Sequence, residues 1–577
     1  DRGLCDYVRK WNDKYAYPRL HIATTSEAMH AFEERHGKEI PAFAGDFTPY
    51  WEDGAASSAL ETAINREAAE RLSQGEALWA MLDPTNFPDE DYYQAWRNVI
   101  LYDEHTWGAH TSISQPDTEF TLGQWRIKQA FALDADQQSK DLLDASMKTI
   151  QSDEQDSNTL MVFNTNSWPR SDVVFLSDDD LEGDRVLDSD GNPVPSQRLT
   201  TGELAFLAED VPPFGSKNYR VTEGKGPTDE SLEVEGNQLI SPDLKVVLDE
   251  QSGALTTVFW EPIQRNLADG KDGMGLNEYF YVSGSDPQNA VRTDAVTIRV
   301  KENGPLVVSL VAESHPQGCY HLNREIRIFQ GLDRIDIIDE LDKRKIREKE
   351  GVHFAFPFDI PDGQIRLDIG WGVIRPDHDQ LPGACKNWFT VQRWVDVSNQ
   401  DYGVTVATVD APLVEVGAIT AETPWIEHLG PTQTFYSYVM NNYWFTNYKA
   451  DQEGPTIFRY AIQPHLMFDS ADANQFGMER SQPLIAVRVP DDAPEAPSFM
   501  RVNPTSTIVS SLKPTQDRKA WEARLYGASG MPEKVDLSFS GKKDWKVYRS
   551  DLNGGRSERL GNTFEILPYE MVTLRIE

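Results

Sequence analysis

The chain has 577 residues and a formal net charge of -38 at pH 7, a balance that argues against nucleic acid and anionic membranes as partners. Hydrophobic residues make up 39% of it and aromatic residues 10%, which excludes a disordered chain. Its length predicts several domains, and no stretch is apolar and long enough to span a bilayer.

Cysteine usage indicates a reducing environment. Cys5, Cys319 and Cys385 are scattered and odd in number, so we expect no disulfide framework and a cytoplasmic location. The sequence starts at Asp1 without an initiator Met or a signal-peptide pattern. This start predicts that a natural N-terminal region is missing.

Residues 1–53 are predicted to be the C-terminal remnant of an α/β domain. The stretch 20–23 is strand-like, Thr24 and Glu27 form a capping-box pattern for a following helix, and residues 41–43 resume extended structure. One helix between two strands cannot close a sheet core. We therefore expect more of this domain upstream.

Residues 54–152 are predicted to form a three-helix bundle, because apolar residues recur there at helical spacing and the connections are short. We expect the helices at residues 55–81, from about 91 to the stretch 101–110, and at 119–147.

After residue 151 the pattern changes to short Val-, Ile-, Leu- and Phe-rich runs separated by Gly, Pro and Asp turns, which is typical of β-sandwiches. Examples are residues 160–163, 172–176, 297–300 and 306–310. Linker-like stretches at 223–228 and 490–497 give a small β domain at 153–225, a large β-sandwich at 226–490 and a C-terminal β domain at 491–577. The predicted fold class is a multidomain α+β protein whose β part is predominantly antiparallel.

The stretch 101–110 places acids, two imidazoles and an indole at the end of the second predicted helix. His105 is interpreted either as a helix-end residue that hydrogen-bonds a backbone carbonyl or as a zinc ligand. A single histidine does not make a zinc site, and His110 lies five residues on, off the same helical face. Of the two histidines we favour His105.

Asp46 opens an aromatic and acidic loop, residues 46–53, whose composition is common at sugar sites. It is interpreted either as a turn or helix-capping residue or as a general acid. The second role requires burial against neighbours such as Phe47 and Trp51 to raise the carboxyl pKa.

Two further groups have open interpretations. Asp377, His378 and Asp379 resemble a metal cluster in composition, but neighbouring prolines favour a solvated turn. Tyr443 and Trp444, within residues 441–448, are able to stack on a sugar ring or equally to lie in a sandwich core. The sequence contains no phosphate-binding glycine loop, no nucleophile-elbow serine and no paired-cysteine zinc motif.

The order of several motifs resembles the glycoside hydrolase family 38 α-mannosidases over nearly the whole chain. These motifs are residues 45–50, 66–72, His105, 162–170, 275–279, 441–444 and 452–454.

This resemblance implies zinc-assisted, retaining hydrolysis of α-mannosides by an α/β domain, a three-helix bundle and β-sandwiches. It makes Asp46 the acid/base candidate and His105 a zinc ligand. The substrate-binding candidates are Trp51, Thr106, Trp107, Tyr443 and Trp444. Thr106 stands where many members have Asp, and no His-x-Asp precedes Asp46, so the nucleophile and the other zinc ligands have no counterpart in this chain.

Two functions follow as hypotheses. In the first, the chain is the C-terminal part of an α-mannosidase, inactive until joined by its N-terminal α/β domain, with an α-mannoside or oligosaccharide as substrate. In the second, it is a non-catalytic carbohydrate-binding or assembly module. Hydrolysis of another glycoside at an unrelated site is a third, weaker alternative, and a homo-oligomer is compatible with all three.

Overall fold

The computed structural model describes residues 2–151, 157–177, 183–227, 231–270, 273–293, 295–421, 423–541 and 544–577. The chain divides into two compact units, Asp1–Asp46 and Phe47–Glu577. The predicted domain boundary at residues 152 and 153 and the last linker residue, Thr228, lie outside the described residues.

The first unit contains two helices, α1 (Arg2–Lys14) and α2 (Thr25–His36). The capping box is confirmed, because Thr24 Oγ1 accepts the Glu27 amide at 3.2 Å and Glu27 Oε2 accepts the Thr24 amide at 2.8 Å. The strands predicted at 20–23 and 41–43 are wrong, since neither stretch pairs with another. Apart from the half-buried Leu20, all of these residues are exposed, and an isolated apolar run gains nothing from an extended conformation that it cannot pair or bury.

The second unit begins with helices that confirm the predicted three-helix arrangement. Its helical segments are a 3-10 helix at Tyr50–Ser58, α3 (Ala59–Leu82), a 3-10 helix at Pro84–Asn86, α4 (Asp89–Asp103), α5 (Thr111–Ser114) and α6 (Glu119–Met147). The third long helix has the predicted bounds, and Thr118 caps it by accepting the Thr121 amide. Leu72, Tyr92 and Leu142 are among the buried residues that hold α3, α4 and α6 together.

The rest of the second unit is almost entirely β structure, and every strand pair in the described residues is antiparallel. In spatial order, the first two sheets contain Ile485–Val489, Thr159–Asn164, Gly215–Thr222, Arg185–Asp188 and Pro193–Val194, and then Arg170–Leu176, Leu204–Val211 and Ser196–Arg198. A five-stranded sheet contains Arg265–Asn266, Leu255–Trp260, Leu244–Leu248, Gln238–Ile240 and Glu233–Glu235.

Two larger sheets form the centre of the β region. The six-stranded sheet contains Ala290–Arg292, Glu278–Ser283, Glu350–Pro357, Thr434–Asn441, Leu413–Val416 and Phe389–Thr390. The nine-stranded sheet contains Thr297–Asn303, Val307–Ser314, Cys319–Phe329, Leu332–Lys343, Gly454–His465, Gly403–Thr408, Trp394–Ser398, Gln364–Ile369 and Gly372–Ile374. Their facing side chains, such as Ile337 and Phe354, share one large buried cluster, as expected for a β-sandwich.

The last two sheets form a C-terminal sandwich. They contain Met500–Asn503, Glu533–Phe539 and Thr563–Ile566, and then Thr507–Pro514, Trp521–Gly527, Met571–Ile576, Val547–Ser550 and Arg556–Leu560. Short helical segments between strands are the 3-10 turns Glu261–Ile263 and Pro287–Asn289 and the helix α7 (Ser470–Ser481). Ala77 and Ala80 of α3 pack into the core of this sandwich, so one helix joins the bundle to the β region. No described helix has the length and apolarity needed to cross a membrane.

Candidate active-site cleft

His105 lies immediately beyond the end of α4, in a left-handed turn with a φ of 51°. Lys128 of α6 closes the helix end by donating from Nζ to the carbonyl of Leu101 at 2.9 Å and to that of Glu104. A cation at a helix C-terminus satisfies carbonyls that have no partner within the helix and interacts favourably with its dipole. The backbone at His105 is therefore held in a conformation that a side-chain-bearing residue seldom adopts.

A loop from the β region holds the His105 turn in place through hydrogen bonds. The carbonyl of Asn447 accepts hydrogen bonds from the amides of Trp107 at 2.8 Å and Gly108 at 2.7 Å. The hydroxyl of Tyr448 donates to the carbonyl of His105 at 3.0 Å. The position of His105 is thus set jointly by the helical bundle and by the loop that follows the strand Thr434–Asn441.

Aromatic side chains lie to one side of the imidazole. The Trp51 ring lies 6.3 Å from that of His105 and 6.4 Å from that of Trp444, and Trp444 contacts Tyr448 at 4.5 Å between centroids. Trp51 is 63% exposed, and His105 is exposed as well. The result is an aromatic wall open to solvent, of the kind that stacks on the apolar face of a ring.

This wall borders a cavity of about 380 Å³. Its lining residues are Trp51, Glu52, Gly54, Ala55, Ser58, Thr62, Arg66, Tyr102, Asp103, His105, Trp107, Lys128, Thr390, Pro412 and Tyr448. We call it the His105 cleft. It combines indole and phenol rings with two carboxylates, a guanidinium and an ammonium, so it offers both apolar and hydrogen-bonding surface to a polar ligand.

Asp103 and Arg66 are cleft residues that were not predicted. Partial desolvation raises the pKa of Asp103, while the hydrogen bond from Asn65 Nδ2 at 2.9 Å and the charges of Arg66 and Lys128 oppose this shift. Asp103 belongs to the stretch 101–110 that the sequence singled out. Arg66 was visible only as part of a helical motif, since its contacts are with residues more than 300 positions away.

The structure brings some predicted site residues together and places others apart. His105, Trp51 and Trp107 line the cleft, with Trp444 packed against its wall, and Thr106 is half-buried in the same turn. Tyr443 is buried, and its hydroxyl donates to the carbonyl of Gly284 at 3.1 Å, outside the cleft lining. Its role as a sugar contact stays a prediction.

Asp46 is the last residue of the first unit and is half-buried there. Its predicted role as the acid/base group stays a prediction. The tract around His378 is a turn in which Arg375 Nη2 donates to Asp379 Oδ1 at 2.8 Å. The side chain of His378 is 68% exposed, in keeping with the solvated-turn interpretation.

Zinc needs about three protein ligands at a catalytic site. Within the described parts of the chain, no group of three or more His, Cys, Asp or Glu side chains converges in a way that could hold a metal. His105 offers one imidazole, so the described residues do not by themselves fit a complete zinc centre.

Two family models match the β region. Residues 241–411 match the C-terminal domain of glycosyl hydrolases family 38, and residues 506–574 match the C-terminal beta sandwich domain of the same family. These two segments are therefore similar to the C-terminal domains of glycosyl hydrolases family 38. The first match includes Thr390, which lines the His105 cleft, so part of the cleft lies within a segment that matches a family model.

Solved structures share the whole fold. An α-mannosidase from Enterococcus faecalis V583 aligns over 100% of this chain and 74% of its own, with a TM-score of 0.74 and 14% sequence identity. A family 38 glycosyl hydrolase from Enterococcus faecalis aligns over 97% of this chain and 74% of its own, with a TM-score of 0.71 and 14% identity. Among curated proteins, none matches the chain. The fold class predicted from the sequence is thereby confirmed.

Proposed function

We propose that the chain is the C-terminal part of a zinc-dependent, retaining α-mannosidase that hydrolyses α-mannosidic bonds. The observation that carries the proposal is the pair of family 38 matches, at residues 241–411 and 506–574. The structural likeness over 100% of the chain to a protein described as an α-mannosidase supports it.

In this proposal the His105 cleft binds the sugar. Trp51 and Trp107 supply ring surface, with Trp444 behind them, while Glu52, Arg66 and Lys128 offer partners to hydroxyl groups. Aromatic rings combined with a few converging polar groups are the usual composition of a site that orients a polar ring. Thr106, beside His105, and Tyr443 are proposed as further sugar contacts.

Zinc is the proposed cofactor, and when bound it would supply a fixed positive charge that holds sugar hydroxyls. His105 is the proposed ligand from this chain. Because the described residues contain no group of three donors, we propose that the other ligands come from an N-terminal α/β domain. The Enterococcus faecalis α-mannosidase has the length for such a domain, since 26% of that chain lies outside the aligned part.

A retaining glycosidase needs two carboxyl groups, separated by about 5 Å, that flank the glycosidic bond. We propose that Asp46 protonates the leaving oxygen and afterwards removes a proton from the attacking water. The nucleophilic carboxylate would come from the same N-terminal domain as the missing ligands. On this basis the 577-residue chain alone is inactive.

The test is complementation. We expect no cleavage of an aryl α-mannoside by the chain alone, and zinc-dependent cleavage when an N-terminal α/β domain of the proposed kind is supplied or fused. His105→Ala and Asp46→Asn should then lower the rate by at least about a hundredfold, or roughly 2.7 kcal/mol in the barrier. His110→Ala is the matched control, since His110 is exposed and lies outside the cleft lining.

Undiminished cleavage by either His105→Ala or Asp46→Asn would refute the assignment of that residue. Hydrolysis by the chain alone would refute the need for the N-terminal domain.

The exposed aromatic wall also supports a second candidate, a carbohydrate-binding module without chemistry. Titration calorimetry of the chain with manno-oligosaccharides, with and without Zn²⁺, separates the two. Zinc-independent binding that is lost in Trp51→Ala, together with no hydrolysis after complementation, would favour the binding module.

A further inference from the structure

A second cavity, of about 500 Å³, adjoins the His105 cleft. Arg66 and Asp103 line both. The remaining lining residues are Asn65, Glu67, Ala69, Glu70, Arg71, Gln74, Leu143, Gln392, Val409, Arg459, Arg480, Ser481, Pro483 and Ile485. We call it the arginine chamber, because guanidinium groups from α3, α7 and the nine-stranded sheet all face it.

Three of its four guanidiniums are paired with carboxylates. Arg71 contacts Glu67 at 2.7 Å and Asp136 at 3.0 Å, and Arg459 contacts Asp410 at 2.7 Å. Arg480 contacts Asp172, although its enclosed Nε has no hydrogen-bond acceptor. The carboxylates in these pairs balance most of the positive charge along the chamber wall.

Arg66 differs from the other three. Its Nε donates to the carbonyl of Val409 at 3.2 Å, and its Nη2 donates to the carbonyls of Gln392 at 2.6 Å and Thr408 at 3.3 Å. Within the described residues it forms no ion pair, and its Nη1 has no acceptor. The guanidinium that stands between the two cavities therefore keeps Nη1 available as a donor.

The surroundings make that charge costly. Burial lowers the pKa of Arg66, and the charge of Arg393 lowers it further, against the opposing effect of Glu70, Asp410 and Asp103. The pKa of Arg480 is also lowered, first by burial and then by Arg334. Guanidinium groups stay protonated in proteins, so an added anion would relieve an unfavourable positive charge here.

A purely structural role explains only part of this arrangement. Arg66 joins α3 to the ends of two β-region loops through Nε and Nη2, and that function does not need Nη1 or an open chamber. A guanidinium whose Nη1 has no acceptor, in a concave and partly desolvated site, is well suited to a charge-assisted hydrogen bond with an oxyanion.

We propose that the arginine chamber binds a tetrahedral oxyanion, phosphate or sulfate, with Arg66 as the principal ligand. The anion has two chemical sources, which the experiment separates. It is either a substituent on a sugar that reaches the chamber from the His105 cleft, or the free inorganic ion. The first source rests on the proposed function, whereas binding of the ion itself does not.

The experiment is titration calorimetry of the full chain with sodium phosphate and with sodium sulfate, at about pH 7.5 and constant ionic strength kept with sodium chloride. Constant ionic strength is essential because a protein with a net charge of -38 responds to general screening. We expect saturable binding of both oxyanions and none of chloride. A shift of the melting temperature by phosphate beyond that of matched chloride gives an independent readout.

Variants locate the site. Arg66→Gln should weaken phosphate binding by at least about tenfold, and Arg66→Lys, which keeps the charge but loses the planar fork, should give an intermediate loss. Arg97→Gln, an exposed position of α4 outside the chamber, should bind phosphate as the unmodified chain does. If Arg66→Gln fails to fold, Arg66→Lys and the melting shift of the unmodified chain still decide the matter.

Mannose 6-phosphate, mannose and inorganic phosphate distinguish the sources. Tighter binding of the sugar phosphate than of either component indicates a substituted sugar, and equal binding of sugar phosphate and phosphate indicates the free ion. No oxyanion binding beyond the chloride control, or unchanged binding in both Arg66 variants, would overturn the proposal. An inactive complemented enzyme that still binds phosphate through Arg66 would refute the mannosidase function alone.

Discussion

Asp172 and Arg66 are two charged residues of this molecule whose charges are balanced in different ways. Asp172 is 4% exposed and accepts hydrogen bonds from Arg170 at 2.8 Å, from Arg334 at 2.9 Å and from Arg480. Arg66 meets backbone carbonyls and has no carboxylate partner within the described residues. The carboxylate of Asp172, whose charge is balanced by guanidiniums, holds structural elements together. The guanidinium of Arg66, which lies beside a cavity and forms no such ion pair among the described residues, is able to bind a ligand.

One residue, Arg480, connects the Asp172 cluster with the arginine chamber. Arg480 pairs with Asp172 and also lines the arginine chamber. Burial by itself would raise the pKa of Asp172, but Arg480, Arg334 and Arg170 together hold it well below its usual range. A rigid ion cluster thus forms one side of the chamber, while Arg66 forms the side nearest to His105.

The largest effect is expected from Asp172→Asn. The substitution leaves three guanidiniums without their shared carboxylate, and breaking a buried ion pair costs about 3–5 kcal/mol. Urea unfolding monitored by circular dichroism at about pH 7 measures the loss. Asp190→Asn, at an exposed turn, should change stability by less than about 0.5 kcal/mol; a similar loss in both variants would contradict the stabilising role of the cluster.

An intermediate effect on stability is expected from the titration of Asp368. This carboxyl is buried, like that of Asp172, and interacts with the charge of Arg66. Burial raises its pKa to about 7, against the opposing charges of Arg393 and Arg66, and its carboxylate accepts the Arg393 amide at 3.0 Å. The native state therefore binds a proton that the unfolded state has released between about pH 4 and pH 7. Its contribution to stability is present below about pH 4 and is lost as the pH rises through about 7.

Each unit of this pKa difference corresponds to about 1.4 kcal/mol, so the loss attributable to Asp368 is on the order of 4 kcal/mol. Unfolding free energies between about pH 4.5 and pH 8 should fall less steeply in Asp368→Asn than in the unmodified chain. Parallel curves for the two proteins would show that Asp368 does not carry the pH dependence. Glu558→Gln, an exposed carboxyl on a strand of the C-terminal sandwich, is the matched control.

The smallest effect extends the comparison from charge to backbone. His105 has a φ of 51°, which costs a non-glycine residue about 1 kcal/mol or more. His105→Gly should raise the free energy of unfolding by up to about 1 kcal/mol while removing the activity proposed for the complemented enzyme. His105→Ala should remove activity without the gain, because alanine keeps the strained conformation. A loss of stability in His105→Gly equal to that in His105→Ala would show that the turn is not strained.

Local signals predicted local structure well. The bounds of α6 and the Thr24–Glu27 capping box follow from spacing of a few residues. The strands predicted at 20–23 and 41–43 are wrong, because a strand forms only with a partner strand, and a single apolar run does not show whether it has one.

The candidate site was predictable only in part for the same reason. His105 and Trp51 were identified from composition and motif order, whereas the chamber and the role of Arg66 depend on carbonyls at Gln392, Thr408 and Val409. Such contacts carry no side-chain signature in the sequence. A carbonyl is present at every residue, so only the folded chain shows which ones meet a guanidinium.

The fastening of the His105 turn has a consequence for how this molecule can change. The amides of Trp107 and Gly108 are held by the carbonyl of Asn447, whose φ of 70° is one that Asn and Gly adopt most readily. Substitutions elsewhere along this loop can therefore accumulate without displacing the imidazole, provided the loop keeps its path. A turn that is held by main-chain hydrogen bonds tolerates changes of side chain, in keeping with a fold shared with the Enterococcus faecalis α-mannosidase at 14% identity.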